Sequence, residues 1–268
     1  MMRRLILLFV VFGVLAAVAP RARGQFLSDE ERKGMLTVGL TYSTREYDMS
    51  FRGSSTPVED TDAIFEAFAA VDSLDSIELS VAWLSFGYVE LRGTIGLADH
   101  DLKNTHPTDA DYDTTFASSD NLIYGLAAVI RYPITDAWLL ALEISFLTGS
   151  FDDIEGEITH LDVVRGLSSR LEDLDWRELS LTPMVQFRAG NFVPYAGVRF
   201  ADVTTTINTK LDVRGEEEPW NRTLEYENTD DLSAVVGLTW RASPLIMADV
   251  QAQLFGNDRI TIAVKLTF

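Results

Sequence analysis

The chain has 268 residues, a formal net charge of −19, no cysteine, and 10% aromatic content. So strong a negative charge argues against binding nucleic acid or an anionic surface by bulk attraction. For an exported chain, the missing cysteines exclude a disulfide-stapled scaffold.

The N-terminus reads as a secretory signal. Arg3 and Arg4 precede an apolar core, Leu5 to Val18, that is short for a membrane span. Two cleavage sites fit. Ala17-Val18-Ala19 is followed by Pro20, which impedes cutting, so Ala22-Arg23-Gly24 is preferred, with Gln25 as the first mature residue. This assigns 1–24 to a signal peptide, with an uncleaved N-terminal anchor as the alternative, and 25–268 to one domain, for which roughly 240 residues are ample. No later run of 18 or more apolar residues is uninterrupted. A mature chain that crosses a membrane therefore crosses with strands, which must close into a barrel so that every backbone polar group is paired.

The first predicted strand is Leu36 to Tyr47, with Leu36, Val38, Leu40 and Tyr42 on one face and Thr37, Gly39, Thr41 and Ser43 on the other. That is the strand period of two. Asp48 to Ser76 reads as a long polar loop holding a short helix over Thr61 to Val71, which has an Asp/Glu-rich start. Ile77, Leu79, Val81 and Trp83 form the next apolar face. After a turn near Phe86-Gly87 come Val89, Leu91, Ile95 and Leu97. Asp99 to Asn121 is a second long loop. Leu122 to Tyr132 and the strand of Trp138, Leu140, Leu142, Ile144 and Phe146 flank a turn at Pro133-Ile134-Thr135-Asp136. Gly149 to Asp175 is a third long stretch, parts of which extend the flanking strands. Leu179, Leu181, Val185 and Phe187, a turn at Ala189 to Phe192, and Ala196, Val198 and Phe200 follow. Asn208 to Asp230 is the fourth long loop. Leu232 to Trp240, a Ser243-Pro244 turn, Ile246 to Leu254, a Gly256-Asn257-Asp258 turn and Arg259 to Phe268 complete the chain.

About ten strands result, with eight or twelve open because the third loop has room for another hairpin. The connections alternate long and short, as in bacterial barrels with short periplasmic turns and longer external loops. Aromatics recur beside the short turns: Trp83, Phe86 and Tyr88; Tyr132 and Trp138; Phe187 and Phe192; Trp240; and Phe268. Rings of this kind form interfacial girdles because they are amphipathic. The expected fold is all-β, a closed antiparallel up-and-down transmembrane barrel.

On these residues the chain resembles a Gram-negative outer-membrane β-barrel protein. Ile260, Ile262, Val264 and Leu266 alternate up to the terminal Phe268, which is similar to the sorting signal such proteins present to the barrel assembly machinery. Pro194-Tyr195-Ala196-Gly197-Val198-Arg199-Phe200 also resembles a strand of small barrels. Many family members carry a further aromatic where this chain has Val264. The resemblance implies an outer-membrane location, long acidic loops outside and both termini periplasmic. It implies lipid and lipopolysaccharide as surroundings, and the assembly machinery and periplasmic chaperones as partners during biogenesis. A monomer is expected, with no nucleic acid partner.

The inward faces carry Glu78, Glu90, Arg92, Arg131, Glu143, Glu178, Arg199, Arg241, Asp249 and Lys265. They read as a salt-bridged lumen filling, with a selective pore or ligand site as the alternative. Catalysis at the external rim would need histidine near a carboxylate. His100 beside Asp99, and His160 beside Asp162, are the candidates, with His106 the remaining histidine, all in loops expected to be solvated. Asp152, Asp153, Glu155 and Glu157, Glu216 to Glu218, and Asp109, Asp111 and Asp113 supply oxygen ligands for a cation but lack a calcium-loop signature. Gly39, Gly93 and Gly125 lie on strands, so no phosphate loop and no cofactor is implied. The expected role is structural, surface-interacting or narrow-pore. A barrel-embedded hydrolase or acyltransferase and a soluble periplasmic barrel binding an apolar ligand are the alternatives.

Overall fold

A computed structural model describes residues 35–54, 69–85, 88–105, 114–151, 155–158, 167–213, 220–255 and 258–268. The signal segment lies outside these residues. The strands are β1 (Leu36–Ser54), β2 (Ala69–Ser85), β3 (Val89–Thr105), β4 (Thr114–Pro133), β5 (Trp138–Phe151), β6 (Glu155–Ile158), β7 (Leu167–Phe187), β8 (Phe192–Val213), β9 (Trp220–Asn228), β10 (Leu232–Arg241), β11 (Ile246–Leu254) and β12 (Asp258–Thr267). Every pairing is antiparallel, and the ring closes where β12 pairs β1, from Thr37↔Thr267 to Glu46↔Asp258. The start of β1 and the end of β12 meet at the short-turn rim, where the Phe268 N–H donates to the Leu36 carbonyl at 2.8 Å. That rim is taken as the lower end.

The ring does not have the same number of strands at every level. In the lower part β8 pairs β10 from Leu232↔Phe200 to Trp240↔Phe192, and β11 and β12 fill the space between β10 and β1. Ten strands therefore surround the lower interior: β1–β5, β7, β8 and β10–β12. The hairpin β11–β12 then ends. Above it β9 pairs β8 on one side and β1 on the other, from Met49↔Asn228 to Ser54↔Leu224. Eight strands remain, with β9 and β10 forming one descending strand broken at residues 229–231. Asn228 stitches the break. Its Oδ1 accepts the Val203 N–H at 2.8 Å, and its Nδ2 donates to the Ala201 and Asp230 carbonyls at 2.9 Å. Beside it, the Thr229 N–H donates to the Asp48 carbonyl at 2.8 Å. The short β6 lies off the ring and pairs β4.

The polarity of the two faces reverses with height. On β1 the outward positions run Leu36, Val38, Leu40, Tyr42, then Thr44, Glu46, Asp48, Ser50 and Arg52. The inward positions run Thr37, Gly39, Thr41, Ser43, Arg45, then Tyr47 and Met49. The same switch occurs on β5, β7 and β8. The lower barrel thus has an apolar outside and a polar inside, whereas the upper barrel has a polar outside and an apolar core. That core joins Tyr47, Met49, Leu74, Leu102, Ile123, Phe151, Leu174, Trp176, Val203, Ile207, Leu224 and Tyr226.

This corrects the reading of the first, second and fourth long loops, while the third does extend its flanking strands as expected. Much of each is strand: β1 runs on to Ser54, β3 to Thr105, β7 begins at Leu167, and β8 with β9 occupies most of 208–228. The polar residues there are the outer face of a barrel wall, packed on its inner side. The expected helix over Thr61 to Val71 is likewise corrected at its end, because Ala69, Ala70 and Val71 open β2. Its earlier part lies outside the described residues.

The strand numbers account for the filling. An eight-stranded barrel is just wide enough for side chains to fill, and the diameter grows with strand number. The upper ring of eight is closed by its apolar core. The lower ring of ten leaves a cavity of about 220 Å³.

Candidate functional site: the charged cavity beneath an apolar plug

Strand alternation places one row of polar side chains inward from each lower strand. Glu90, Arg92, Arg131, Glu143, Arg199, Arg241 and Asp249 all line the cavity, together with Glu78 and Lys265. All of them sit at inward positions of the strand alternation. Glu90 is the hub of one group: it accepts from Arg131 Nη2 at 2.8 Å and Arg92 Nη2 at 3.1 Å. Arg92 also faces Glu143 at 3.6 Å. Across the cavity, Asp249 accepts from the Tyr195 hydroxyl at 3.1 Å and the Thr239 hydroxyl at 2.5 Å. The Tyr195 ring lies against Gly237, where a Cβ would collide with it.

The ceiling of the cavity is a buried ion cluster. Arg45 Nη2 lies 2.6 Å from Glu78 Oε1, and Ser76 donates to the same oxygen at 2.7 Å. Glu178 accepts from Arg199 and from the Tyr47 hydroxyl. It also faces Arg259 at 3.6 Å and Arg45 at 4.0 Å. Arg259 Nε donates to Ser43 at 3.2 Å and Thr261 at 3.1 Å. Charges removed from water need such partners. The roles of Arg45 and Arg259 were missed from sequence, although both sit at inward parity.

Above the cluster, His100 and Asp72 are fully buried. His100 Nε2 lies 2.7 Å from Asp72 Oδ1 but out of line for a hydrogen bond. The Thr205 hydroxyl donates to the other Asp72 oxygen. The His100 ring packs on Phe151 with centroids 4.9 Å apart. This corrects two expectations. His100 is a core residue of β3, not a solvated loop histidine. Its acidic neighbour is Asp72, whereas Asp99 faces away and accepts the Asp120 N–H at 2.9 Å. A pair so enclosed offers a substrate no approach. His106, His160, Asp162, Asp152 and Asp153 lie outside the described residues, as do Asp109, Asp111, Asp113 and Glu216 to Glu218. Glu155 and Glu157 lie on β6, with side chains outside the described set.

The outer surface carries the complementary feature. The exposed large apolar side chains among the described residues all belong to the lower barrel, including Leu79, Leu97, Leu126, Phe146, Leu179, Phe200, Leu238 and Ile260. Trp83, Tyr88, Tyr132, Trp138, Phe192, Trp240 and Phe268 ring its lower edge. Tyr124, Phe146, Phe200 and Phe255 stand nearer its upper edge. Ile262, Val264 and Leu266 share the outer face of β12 with Phe268 at its end.

No family model matches the sequence, and no curated protein matches it. Among solved structures, the chain is similar to the outer membrane protein OprG from Pseudomonas aeruginosa, at 11% identity over 88% of this chain and 97% of that one, TM-score 0.46. It is also similar to the translocator domain of the autotransporter NalP from Neisseria meningitidis, at 10% identity over 86% and 88%, TM-score 0.42. A third is the outer membrane protease OmpT from Escherichia coli, at 10% identity over 88% and 96%, TM-score 0.40. At these values the likeness is one of general barrel form, and no role passes from these proteins to this chain.

Proposed function

We propose that the chain is an outer-membrane β-barrel with a structural or surface-interaction role, and that it does not conduct through its centre. The observation that carries this reading is the reversal of polarity with height. An apolar outer belt calls for lipid, and an apolar inner core closes the ring above it. The outward apolar runs at residues 138–146, 192–200, 232–240, 246–254 and 260–268 are each nine residues long. That is about the 9–11 residues a tilted strand needs to cross hydrocarbon. Aromatic side chains at both edges of the belt fit the two interfaces. In water the same belt would be a continuous apolar patch far larger than soluble monomers tolerate, which argues against the soluble-barrel alternative. The enclosure of His100 and Asp72 argues against an enzyme built on that histidine.

In this reading residues 1–24 direct export. The short turns and both ends of the barrel face the periplasm, and the acidic upper barrel stands outside. Lipid and lipopolysaccharide surround the belt. The assembly machinery reads Ile262, Val264, Leu266 and Phe268 after periplasmic chaperones deliver the monomer. Cell fractionation with gel migration before and after heating tests it. The protein is expected in the outer-membrane fraction with heat-modifiable migration; a soluble periplasmic location would contradict the reading.

A further inference from the structure

The upper barrel encloses an acid–base pair within its apolar core. Asp72 on β2 and His100 on β3 are both fully buried. In the strand register Tyr47 and Leu102 stand opposite Asp72, and Leu74 and Ser118 stand opposite His100. The Thr205 hydroxyl donates to Asp72 Oδ2. Thr205 belongs to β8, which β1 and β9 separate from β2 at this level, so the bond spans the interior. The other carboxylate oxygen, Oδ1, faces the imidazole edge, with Nε2 at 2.7 Å. Among the described residues neither Oδ1 nor either ring nitrogen has a hydrogen-bond partner. The other charged or titratable side chains turned inward around the pair are Arg45 and Tyr47 on β1, Glu78 on β2, Glu178 on β7, Arg199 on β8, Tyr226 on β9 and Arg259 on β12. The glutamates and arginines pair with one another in the layer below, and Tyr47 donates to Glu178. Tyr226 carries a phenol, uncharged near neutrality. From β4 and β5 come Ser118 and Phe151, which do not titrate.

We infer that Asp72 and His100 form an imidazolium–carboxylate latch that makes closure of the upper barrel sensitive to pH. A carboxylate in an apolar core needs a counter-charge, and one hydroxyl donor does not supply it. Imidazole is a stronger base than carboxylate by roughly two to three pH units in water, so a proton shared by the pair rests on the ring. Charged on both sides, the pair is neutral as a whole and ties β2 and β3 to β8 through Thr205. Raising the pH takes the proton to solvent and leaves the Asp72 carboxylate beside an uncharged ring. The latch thus stabilises the closed barrel in mild acid and lets go as the pH rises. Histidine is the side chain whose charge ordinarily changes between about pH 5 and 8. The layer below does not respond in that range, because its carboxylates face guanidiniums that stay charged throughout.

The latch is tested on the full barrel in nonionic-detergent micelles, which hold it whether or not the outer-membrane reading is right. Nitrogen NMR of histidine-labelled protein reads the charge of each ring directly, and His100 is identified by its contact with the Phe151 ring. In the wild type that ring should be imidazolium at about pH 7.5, where an unperturbed histidine is mostly neutral. Asp72→Asn removes the counter-charge and should leave it neutral at the same pH. Hydrogen-exchange protection of the Leu102 and Ile207 amides, corrected for the intrinsic rate, should fall about tenfold between about pH 6 and about pH 9 in the wild type, and by less than about twofold in His100→Gln. A variant that fails to fold leaves the wild-type ring charge to decide. The inference is overturned by a neutral His100 ring in the wild type at about pH 7.5, by wild-type protection that does not change with pH, or by an equal fall in folded His100→Gln.

Discussion

Replacing Trp176 by alanine attacks the plug where it is most enclosed. Trp176 is fully buried among Leu74, Leu102, Phe151 and Leu174, with the Tyr47 ring centroid 6.4 Å away at 45°. A tryptophan buries about 150–250 Å². At roughly 25 cal/mol per Å² that is about 4–6 kcal/mol, an upper figure because unfolded chains already bury some surface. Large-to-small changes of this kind cost about 3–5 kcal/mol in packed cores. Trp176→Ala should therefore lower the unfolding free energy by about 3–5 kcal/mol, measured by urea titration in phospholipid vesicles with the fluorescence of the remaining tryptophans. Asp175→Ala, one residue away on the exposed face, should stay within about 0.5 kcal/mol. If the upper barrel opens on its own, the same loss appears as faster hydrogen exchange at the Leu102 and Ile207 amides. A loss below about 1 kcal/mol by both measures would refute the packed plug.

Other substitutions test other layers. Leu126 faces outward in the belt and is 70% exposed, whereas Ser150 faces outward above it. Leu126→Arg should cost about 2–4 kcal/mol in vesicles, as charges at barrel midplanes do, and Ser150→Arg should stay within about 0.5 kcal/mol. Equal effects would remove lipid from the account of the belt. Glu178→Gln leaves three buried guanidiniums without their shared carboxylate and should cost about 3–5 kcal/mol. Arg52→Ala breaks only exposed pairs with Glu225 and Glu227, and should cost less than about 1 kcal/mol. His100→Ala removes the neighbour of buried Asp72 and should cost about 1–3 kcal/mol in the same titration. Stability unchanged by His100→Ala would remove its structural role.

The lower ring was legible because its alternation is uniform. Each nine-residue run keeps apolar residues on one face, and the seven lumen charges follow from that parity alone. The upper barrel is hidden in the sequence because its outward polar residues have the composition of loops. Asp48, Ser50 and Arg52 look like loop, yet Tyr47, Met49 and Phe51 alternate with them at the parity already occupied by Ser43 and Arg45. The strand signal continued while its hydrophobic face changed sides. The narrowing to eight strands was also written in lengths: β11 has nine residues and β12 ten, against 22 for β8. The Asp72–His100 pair was beyond sequence reasoning. It depends on the β2–β3 register, Leu74↔His100 and Asp72↔Leu102, which sets the two side chains on a diagonal of one face. No local pattern fixes that register from 28 residues away.

The proposed barrel crosses a membrane yet is sealed within its own upper wall. Planar-bilayer conductance of the purified protein tests it most directly. A flat trace is expected while insertion is verified separately by protease protection in the same lipid. Steady single-channel steps from the inserted wild-type protein would contradict it.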